Sequence, residues 1–298
     1  MTDSTPRIGI VVTDAYAADD PDHDTPILLA ALETRGAPAE AVVWHSTADL
    51  APYDLLVLRS PWDYPDRPDE FQAWLDRAES ATRVVNSPAL VRWNLDKQYL
   101  RDLEFAGIRA VPTQYGRTAA DVLAALSAWT DRRVVVKPAV SAGARDTGLF
   151  DAADPAALRL AERIIAGGGV AMIQPEVTEL SAGGEKALYS IEGRHTHAIA
   201  KGALLEAGGG LIGGVYVEHP EPVETTEAER AFAAEVMDAV CATTGQAMPL
   251  YARIDIVDSA EFGLVVLEVE LIEPALNLHV APHATDAVVD AILRAAVH

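Results

Sequence analysis

The chain contains one cysteine in 298 residues, which excludes an internal disulfide. Cys241 lies in a run with the pattern of a helix, and we expect a buried small hydrophobic residue there rather than a nucleophile or redox centre. Nowhere do eighteen apolar residues follow one another, and no basic segment precedes an apolar one near Met1. We therefore predict a cytoplasmic protein without a membrane span.

Basic residues are also scarce. The chain has 23 Lys and Arg against 45 Asp and Glu, for a net charge of −22. A nucleic-acid backbone or an anionic membrane would be repelled by this charge, so we exclude both as partners. A hydrophobic content of 50% at this length predicts a globular protein with two or three packed subdomains.

The first 90 residues alternate between strand and helix patterns. Apolar runs predict strands at residues 8–12, 41–45, 54–60 and 83–86, and Thr25 with Pro26 has the pattern of a helix start. This alternation predicts a small open parallel sheet, whose ligands would lie beyond the carboxyl ends of the strands. Trp62, in the loop after the third strand, is either a core residue or a ligand contact.

Residues 89–108 are predicted to be helical, with one apolar face formed by Leu95, Tyr99, Leu100, Leu103 and Phe105. Lys97 lies in this segment and, considered alone, is typical of a surface lysine. Lys137 ends a β-branched strand beside a proline, which is less ordinary. The loop that follows it contains small residues, including Ser141 and Gly143, whose backbone amides can approach phosphate oxygens closely.

The strand at residues 170–177 is interrupted by Pro175. A proline there leaves main-chain groups that can pair with the edge of a purine, and Glu185 could accept hydrogen bonds from ribose hydroxyls. An ordinary strand end with a surface glutamate would have the same pattern. The glycine-rich residues 202–219 are interpreted as a mobile flap, although a plain loop would look alike.

Residues 250–273 gather acids onto two alternating apolar segments, which predicts an antiparallel hairpin. Residues two apart on a strand share a face, so Asp255, Glu268 and Glu270 can point toward one place, with Arg253 beside them. Three carboxylates suit a hard cation such as Mg2+, and Arg253 could hold an anionic oxygen. The alternative is a solvated outer face.

The order of these features resembles the ATP-grasp superfamily over nearly the whole chain. The resemblance implies an α/β fold with a Rossmann-like pre-ATP-grasp domain at residues 1–90 and two nucleotide-clasping lobes at residues 91–185 and 186–298. It also implies ATP and Mg2+ as cofactors, and it assigns residues to each. Nucleotide contacts would come from Lys97, Lys137, Ser141, Gly143, Gln174, Pro175, Glu176, Val177 and Glu185. Mg2+ would be held by Asp255, Glu268 and Glu270.

In that superfamily, Arg253 and Lys137 would stabilise the transferred phosphoryl group, and Arg253 would also stabilise the oxyanion of the tetrahedral intermediate. Many members have Asn where this chain has Glu270, so the extra negative charge is a departure that could change the number or affinity of metal ions.

The chain is similar in mechanism to D-alanine–D-alanine ligases, and it most resembles D-cycloserine synthetases, which close O-ureido-D-serine into a ring. The resemblance therefore implies a carbon–nitrogen ligase that activates a small amino-acid-like substrate as an acyl phosphate. A ligase joining two separate molecules and a nucleotide-binding module without catalysis stay open as alternatives, as does a homo-oligomer.

Overall fold

A computed structural model of the chain describes residues 5–16, 21–141, 143–211 and 219–297. The first sheet is parallel, and its order is β2-β1-β3-β4. Its strands are β1 (Ile8–Val12), β2 (Ala39–Val43), β3 (Leu55–Ser60) and β4 (Arg83–Val85). Helices α1 (Asp24–Thr34) and α2 (Pro68–Ala81) connect them, with a 3-10 turn at Tyr64–Asp66. These elements confirm the predicted open parallel sheet.

The start of α1 differs from the prediction. The helix begins at Asp24, with His23 at the N-cap, and not at Thr25 with Pro26. Oδ1 of Asp22 accepts hydrogen bonds from the backbone N–H groups of Asp24 (2.9 Å) and Thr25 (3.0 Å). A carboxylate outside the helix therefore satisfies the first donors, which Thr25 was expected to do. Residues 17–20 of the preceding acidic loop lie outside the described residues.

Two short helices follow the sheet, α3 (Pro88–Asn94) and α4 (Tyr99–Phe105). Lys97 lies in the turn between them and is only 7% exposed, so it is not the surface lysine that its local sequence taken alone would give. Its backbone N–H donates to the Ala139 carbonyl at 2.8 Å, which ties the turn to the next sheet. Phe105 was expected on the apolar face but is 91% exposed, because it is the last residue of α4.

The second sheet is antiparallel in the order β5-β8-β6-β7. Its strands are β5 (Gln114–Gly116), β6 (Arg133–Pro138), β7 (Gly148–Asp151) and β8 (Ala171–Pro175). Helices α5 (Ala119–Ser127) and α6 (Pro155–Ala166) pack on it, and the single turn α7 (Thr178–Ser181) follows β8. Asp154 caps α6, and β8 ends at Pro175, where the sequence predicted an interruption of the strand.

The third sheet is antiparallel in the order β11-β10-β9-β12-β13. Its strands are β9 (Glu185–Ile191), β10 (Arg194–Lys201), β11 (Glu221–Pro222), β12 (Tyr251–Ser259) and β13 (Gly263–Glu270). Helix α8 (Glu227–Thr244) packs against it and carries Cys241, which is partly exposed and not buried as expected. The predicted hairpin is confirmed as β12 and β13.

A 3-10 turn at Pro282–Ala284 leads into the last helix, α9 (Thr285–Val297), which packs on α1. Leu28 of α1 and Ile292 of α9 share one buried cluster with Tyr189 of β9, so the two ends of the chain share a core. The division at residues 90 and 185 stays a prediction, although the three sheets follow its order. Within the described ranges, every helix is too short or too polar to cross a bilayer.

Candidate active site

A cavity of about 680 Å³ lies where the three sheets meet. The first sheet contributes Trp62, the second contributes Lys137 and Gln174, and the third contributes Arg253 and Glu268. The cavity is also lined by most of the other residues predicted to form the site, namely Lys97, Ser141, Gly143, Glu176, Val177, Glu185 and Glu270. Pro175 and Asp255 are the two that do not line it. The structure therefore brings residues from distant segments to one place.

The hairpin places Arg253 opposite Glu270 and Asp255 opposite Glu268. Arg253 donates through Nε to Oδ1 and through Nη2 to Oδ2 of Asp255, both at 2.9 Å, and it also contacts Glu270. The Arg253 side chain is only 6% exposed. The predicted convergence of these side chains is therefore present, and carboxylates on two strands hold the guanidinium in one orientation.

Lys201, at the end of β10, is a site residue to which sequence reasoning gave no role. Its Nζ lies 2.9 Å from Oδ2 of Asp255 and 3.1 Å from Oε1 of Glu185, and it lines the cavity. Burial disfavours the charged form of Asp255, but Arg253 and Lys201 outweigh it and hold the pKa of this carboxyl below its usual value. The sequence signal that could have identified Lys201 is its place at the end of a strand, which it shares with Lys137.

Two lysines enter the cavity from the second sheet and the turn before α4. Lys97 lies 3.1 Å from Oε1 of Glu268 and donates to the Ser141 carbonyl at 2.7 Å. Burial lowers the pKa of Lys137, and no acidic side chain in the described part of the chain forms an ion pair with it. A partly buried ammonium that forms no ion pair among the described residues makes this position suitable for a ligand anion such as phosphate.

The loop after β6 has an irregular backbone. Gly143 has a φ of 60°, and Ala144 and Asp146 have positive φ values as well. Such a backbone can turn consecutive N–H groups toward an anion. Arg145 pairs with Asp66, which connects this loop to the first sheet. The loop therefore closes the cavity from the side of Trp62 and Tyr64.

The end of β8 forms a second kind of surface, built from backbone. The Glu176 N–H donates to the Arg133 carbonyl at 2.9 Å, and its carboxylate pairs with Nη2 of Arg133 at 2.7 Å. Gln174 donates through Nε2 to Oγ1 of Thr113 at 2.8 Å. Both side chains are thus committed to structure, so the backbone near Val177 is the part left to pair with a planar heterocycle.

Each of the three acids predicted to bind Mg2+ is paired with a basic side chain. Within residues that the structure describes, no three acidic, histidine or cysteine side chains are grouped as a ready-made metal site. Asp255, Glu268 and Glu270 pair with Lys201, Lys97 and Arg253, respectively. Burial raises the pKa of Glu270 to about 8, with neighbouring carboxylates adding to the effect. The three oxygen donors match the chemistry of a hard cation, and their role as ligands stays a prediction.

Trp62 and Glu273 form a wall of the cavity; the sequence left Trp62 open as a core residue or a ligand contact, and it gave Glu273 no role. Trp62 Nε1 donates to the Glu273 carbonyl at 2.9 Å, so this tryptophan lines the cavity and also fixes the chain after β13. Burial raises the pKa of Glu273 to about 7, partly offset by a hydrogen bond with Tyr64. The only sequence signal was a third acid soon after Glu268 and Glu270.

Comparison with known proteins places this fold. The solved structure of the ATP-grasp ligase PsnB with minimal precursor, Mg and ADP aligns at a TM-score of 0.63 and 17% identity, covering 98% of each chain. The crystal structure of D-cycloserine synthetase DcsG aligns at a TM-score of 0.89 and 32% identity, covering 97% of this chain and 99% of that one. The cycloserine biosynthesis protein DcsG of Streptomyces lavendulae is 36% identical over 277 residues, which are 90% of this chain and 92% of the relative. Residues 8–86 match the family model for the N-terminal domain of D-cycloserine synthetase DcsG.

The fold and the cavity between its sheets define an ATP-grasp carbon–nitrogen ligase. The 36% identity over 90% of this chain identifies the family within this class. The chain belongs to the D-cycloserine synthetase DcsG family. The resemblance and the fold class predicted from the sequence are thereby confirmed.

Proposed function

We propose that the protein cyclises O-ureido-D-serine to D-cycloserine at the expense of ATP, releasing ADP, phosphate, CO2 and ammonia. The observation that carries the proposal is the 36% identity to a cycloserine biosynthesis protein over 90% of this chain. A cavity of about 680 Å³ is large enough for a nucleotide beside a small amino acid.

For ATP, we assign the ammonium groups of Lys97 and Lys137 to the phosphates, with the backbone of Ser141 and Gly143 beside them. The backbone at Gln174–Val177 would receive adenine, and Glu185 would accept from the ribose. Lys201 joins the predicted set, because it lies between Glu185 and Asp255 and lines the cavity. The absence of an acidic partner for Lys137 in the described residues supports this assignment, since phosphate would supply the missing anion.

For Mg2+, the chemistry of the donors is suitable, and we assign the ion to the three carboxylates of the hairpin. Glu268 and Glu270 line the cavity, Asp255 lies behind them, and all three offer carboxylate oxygens. When bound, Mg2+ supplies charge neutralisation for the transferred phosphoryl group. Lys97 now neutralises Glu268 and, with the metal bound, would be released toward a phosphate oxygen, whereas Arg253 stays held by Asp255.

The chemistry follows from the weakness of a carboxylate as an electrophile. A substrate carboxylate oxygen attacks the terminal phosphorus of ATP, ADP leaves, and the acyl phosphate carries a good leaving group. The ureido nitrogen that is bound to oxygen then attacks the acyl carbon, and phosphate leaves. One water adds to the carbamoyl group, which departs as CO2 and ammonia. Arg253, held by Asp255, stabilises the negative charge that develops on the acyl oxygen.

The acyl phosphate must be kept from water during this sequence. Leu204, Leu205 and Leu211, from the segment predicted to be a flap, line the cavity with apolar side chains. Residues 212–218 of that segment lie outside the described residues. We keep the flap at residues 202–219 as a proposal; shortening it should release ADP without an equal amount of product.

The test is ADP release with O-ureido-D-serine and O-ureido-L-serine, with mass detection of the product. We expect ADP and D-cycloserine in equal amounts from the D compound. ADP release that requires an added amine, with a linear amide as product, would replace the proposal with an intermolecular ligase. No turnover of either ureido compound would overturn the substrate assignment and leave family membership intact.

A further inference from the structure

Among the described residues, the acidic side chains around the cavity have basic partners, with one exception. Most of its carboxylates have a basic partner among the described residues, and the pairs are Glu268 with Lys97, Glu270 with Arg253, Glu185 with Lys201, Glu176 with Arg133, Asp66 with Arg145 and Asp63 with Arg67. Glu273 lines the same cavity, and no basic side chain in the described residues forms an ion pair with it. A cationic group of a ligand would complete the pairing at this position.

The backbone that carries Glu273 is held rigidly. Its carbonyl accepts from Trp62 Nε1 at 2.9 Å, and the preceding Ile272 carbonyl accepts from the Tyr251 hydroxyl at 2.8 Å. The following Pro274 carbonyl accepts from Arg59, which is 1% exposed. Three side chains from two sheets thus fix three consecutive carbonyls. The side chain of Glu273 is therefore presented to the cavity by a supported wall, as required of a residue that sets specificity.

The surroundings of Glu273 are poor in compensating charge. Burial is the largest influence on its carboxyl and raises the pKa to about 7, while Tyr64 donates a hydrogen bond and Lys97 acts as a more distant charge. Glu268 adds negative charge. A ligand cation placed here would favour the ionised form and complete the pairing of the cavity.

The position of Glu273 relative to Arg253 indicates which ligand cation would bind it. Glu273 lies three residues after the end of β13, and the charge of Arg253 partly offsets the rise that burial causes in the pKa of its carboxyl group. We place the reacting carboxylate at Arg253. In an α-amino acid the ammonium is attached one carbon from the carboxylate. A zwitterion with its carboxylate at Arg253 therefore presents its ammonium to a neighbouring part of the same wall. Glu270 is less suited, because Arg253 already binds it.

We propose that the carboxylate of Glu273 binds the α-ammonium group of the amino-acid substrate and selects α-amino acids over carboxylic acids that lack the amine. This inference rests on the proposed function. It assigns Glu273 to recognition of the substrate amine, with Tyr64 as the hydrogen-bond donor that positions its carboxyl group and Trp62 as the support for its backbone.

The experiment compares two substrates in two enzymes. O-Ureido-D-serine and its analogue without the amine, 3-(ureidooxy)propanoate, are each tested by ADP release with the wild type and with Glu273→Gln. We expect the variant to lose about 30-fold or more in kcat/KM for the amino compound and little for the analogue. The KM for ATP should stay within about twofold, since the nucleotide contacts are elsewhere.

Two further variants make the comparison specific. Glu273→Asp keeps the charge and should retain part of the preference for the amino compound. Glu235→Gln removes an exposed carboxylate on α8, outside the cavity, and should leave both substrates unchanged. Thermal melting with and without ATP establishes that each variant is folded.

Equal losses on both substrates, or no loss on either, would overturn the assignment of Glu273. If Glu273→Gln does not fold, the wild type alone decides, because equal kcat/KM for the two compounds would also overturn it. Failure of the proposed function has a different signature, which is absence of wild-type turnover with O-ureido-D-serine. In that case the same comparison is made on whichever amino acid in a panel supports ADP release, and absence of any such acid would overturn both proposals.

Discussion

Arg253 and Asp255 bind each other from the same strand, through Nε to Oδ1 and Nη2 to Oδ2, both at 2.9 Å. Asp255 is also bound by Lys201 at 2.9 Å. One of the three acids that the sequence assigned to Mg2+ is therefore, in this structure, the residue that orients the arginine. Arg253 lines the cavity and Asp255 does not.

Replacing Arg253 tests the importance of this geometry. Arg253→Lys keeps one positive charge but loses the planar fork that binds both oxygens of Asp255. We expect kcat to fall about 100-fold, with a much smaller change in the KM for ATP. Steady-state ADP release measures both. Arg35→Lys, on an exposed ion pair with Asp290, is the matched control, and a similar loss in that variant would contradict the prediction.

The resemblance to ATP-grasp proteins implies asparagine as the usual residue at the position of Glu270, and Glu270→Asn introduces it. The change removes a proposed metal ligand and the carboxylate that binds Arg253. We expect the Mg2+ concentration for half-maximal activity to rise about tenfold or more. A Mg2+ titration at saturating ATP measures it. An unchanged or lower Mg2+ requirement would show that Glu270 serves Arg253 and not the metal.

Lys201 compensates a carboxylate that is almost completely buried. Lys201→Met leaves Asp255 with one cation fewer in an environment where its side chain is only 2% exposed. We expect the free energy of unfolding to fall by about 3 kcal/mol. Denaturant unfolding provides the measurement. Arg294→Met, which breaks an exposed pair with Glu192, should cost about 1 kcal/mol or less. Equal losses of unfolding free energy in the two variants would contradict the distinction between the buried and the exposed pair.

His197 makes stability depend on pH in the acid range. It is 5% exposed, its Nε2 lies 2.8 Å from the Leu276 carbonyl, and it stacks on Tyr189. Burial lowers its pKa to about 4, with the nearby rings of His283 and His195 contributing. The folded state thus prefers the neutral ring. Above pH 6.5 the ring is neutral in both the folded and the unfolded state, and stability is complete. As pH falls from 6.5 toward 4, the unfolded state binds the proton more readily, and the free energy of unfolding decreases by about 3 kcal/mol.

Denaturant unfolding between pH 7 and pH 4 tests this expectation. His197→Gln should show a shallower decline over that interval than the wild type, whatever its stability at pH 7. His219→Gln, at an exposed position, should keep the wild-type slope. Parallel declines in the wild type and His197→Gln would assign the acid sensitivity to other groups.

Local patterns predicted much of the fold. Alternation of apolar residues placed β12 and β13, and the register then brought Arg253, Asp255, Glu268 and Glu270 together. Failures occurred where tertiary contacts override a local pattern. Lys97 is buried because its turn is bonded to Ala139, and Phe105 is exposed because α4 ends there. Neither partner is visible in the neighbouring sequence.

By itself, the sequence determined the order of strands and helices, the acidic hairpin, the lysines and the family resemblance. These depend on residue type and short spacing, which the chain carries locally. The tertiary structure alone decided that Lys201 pairs with Asp255, 54 residues away, and that Trp62 supports Glu273, 211 residues away. Such contacts depend on how the sheets pack, because only packing brings distant charged and polar groups within hydrogen-bonding distance.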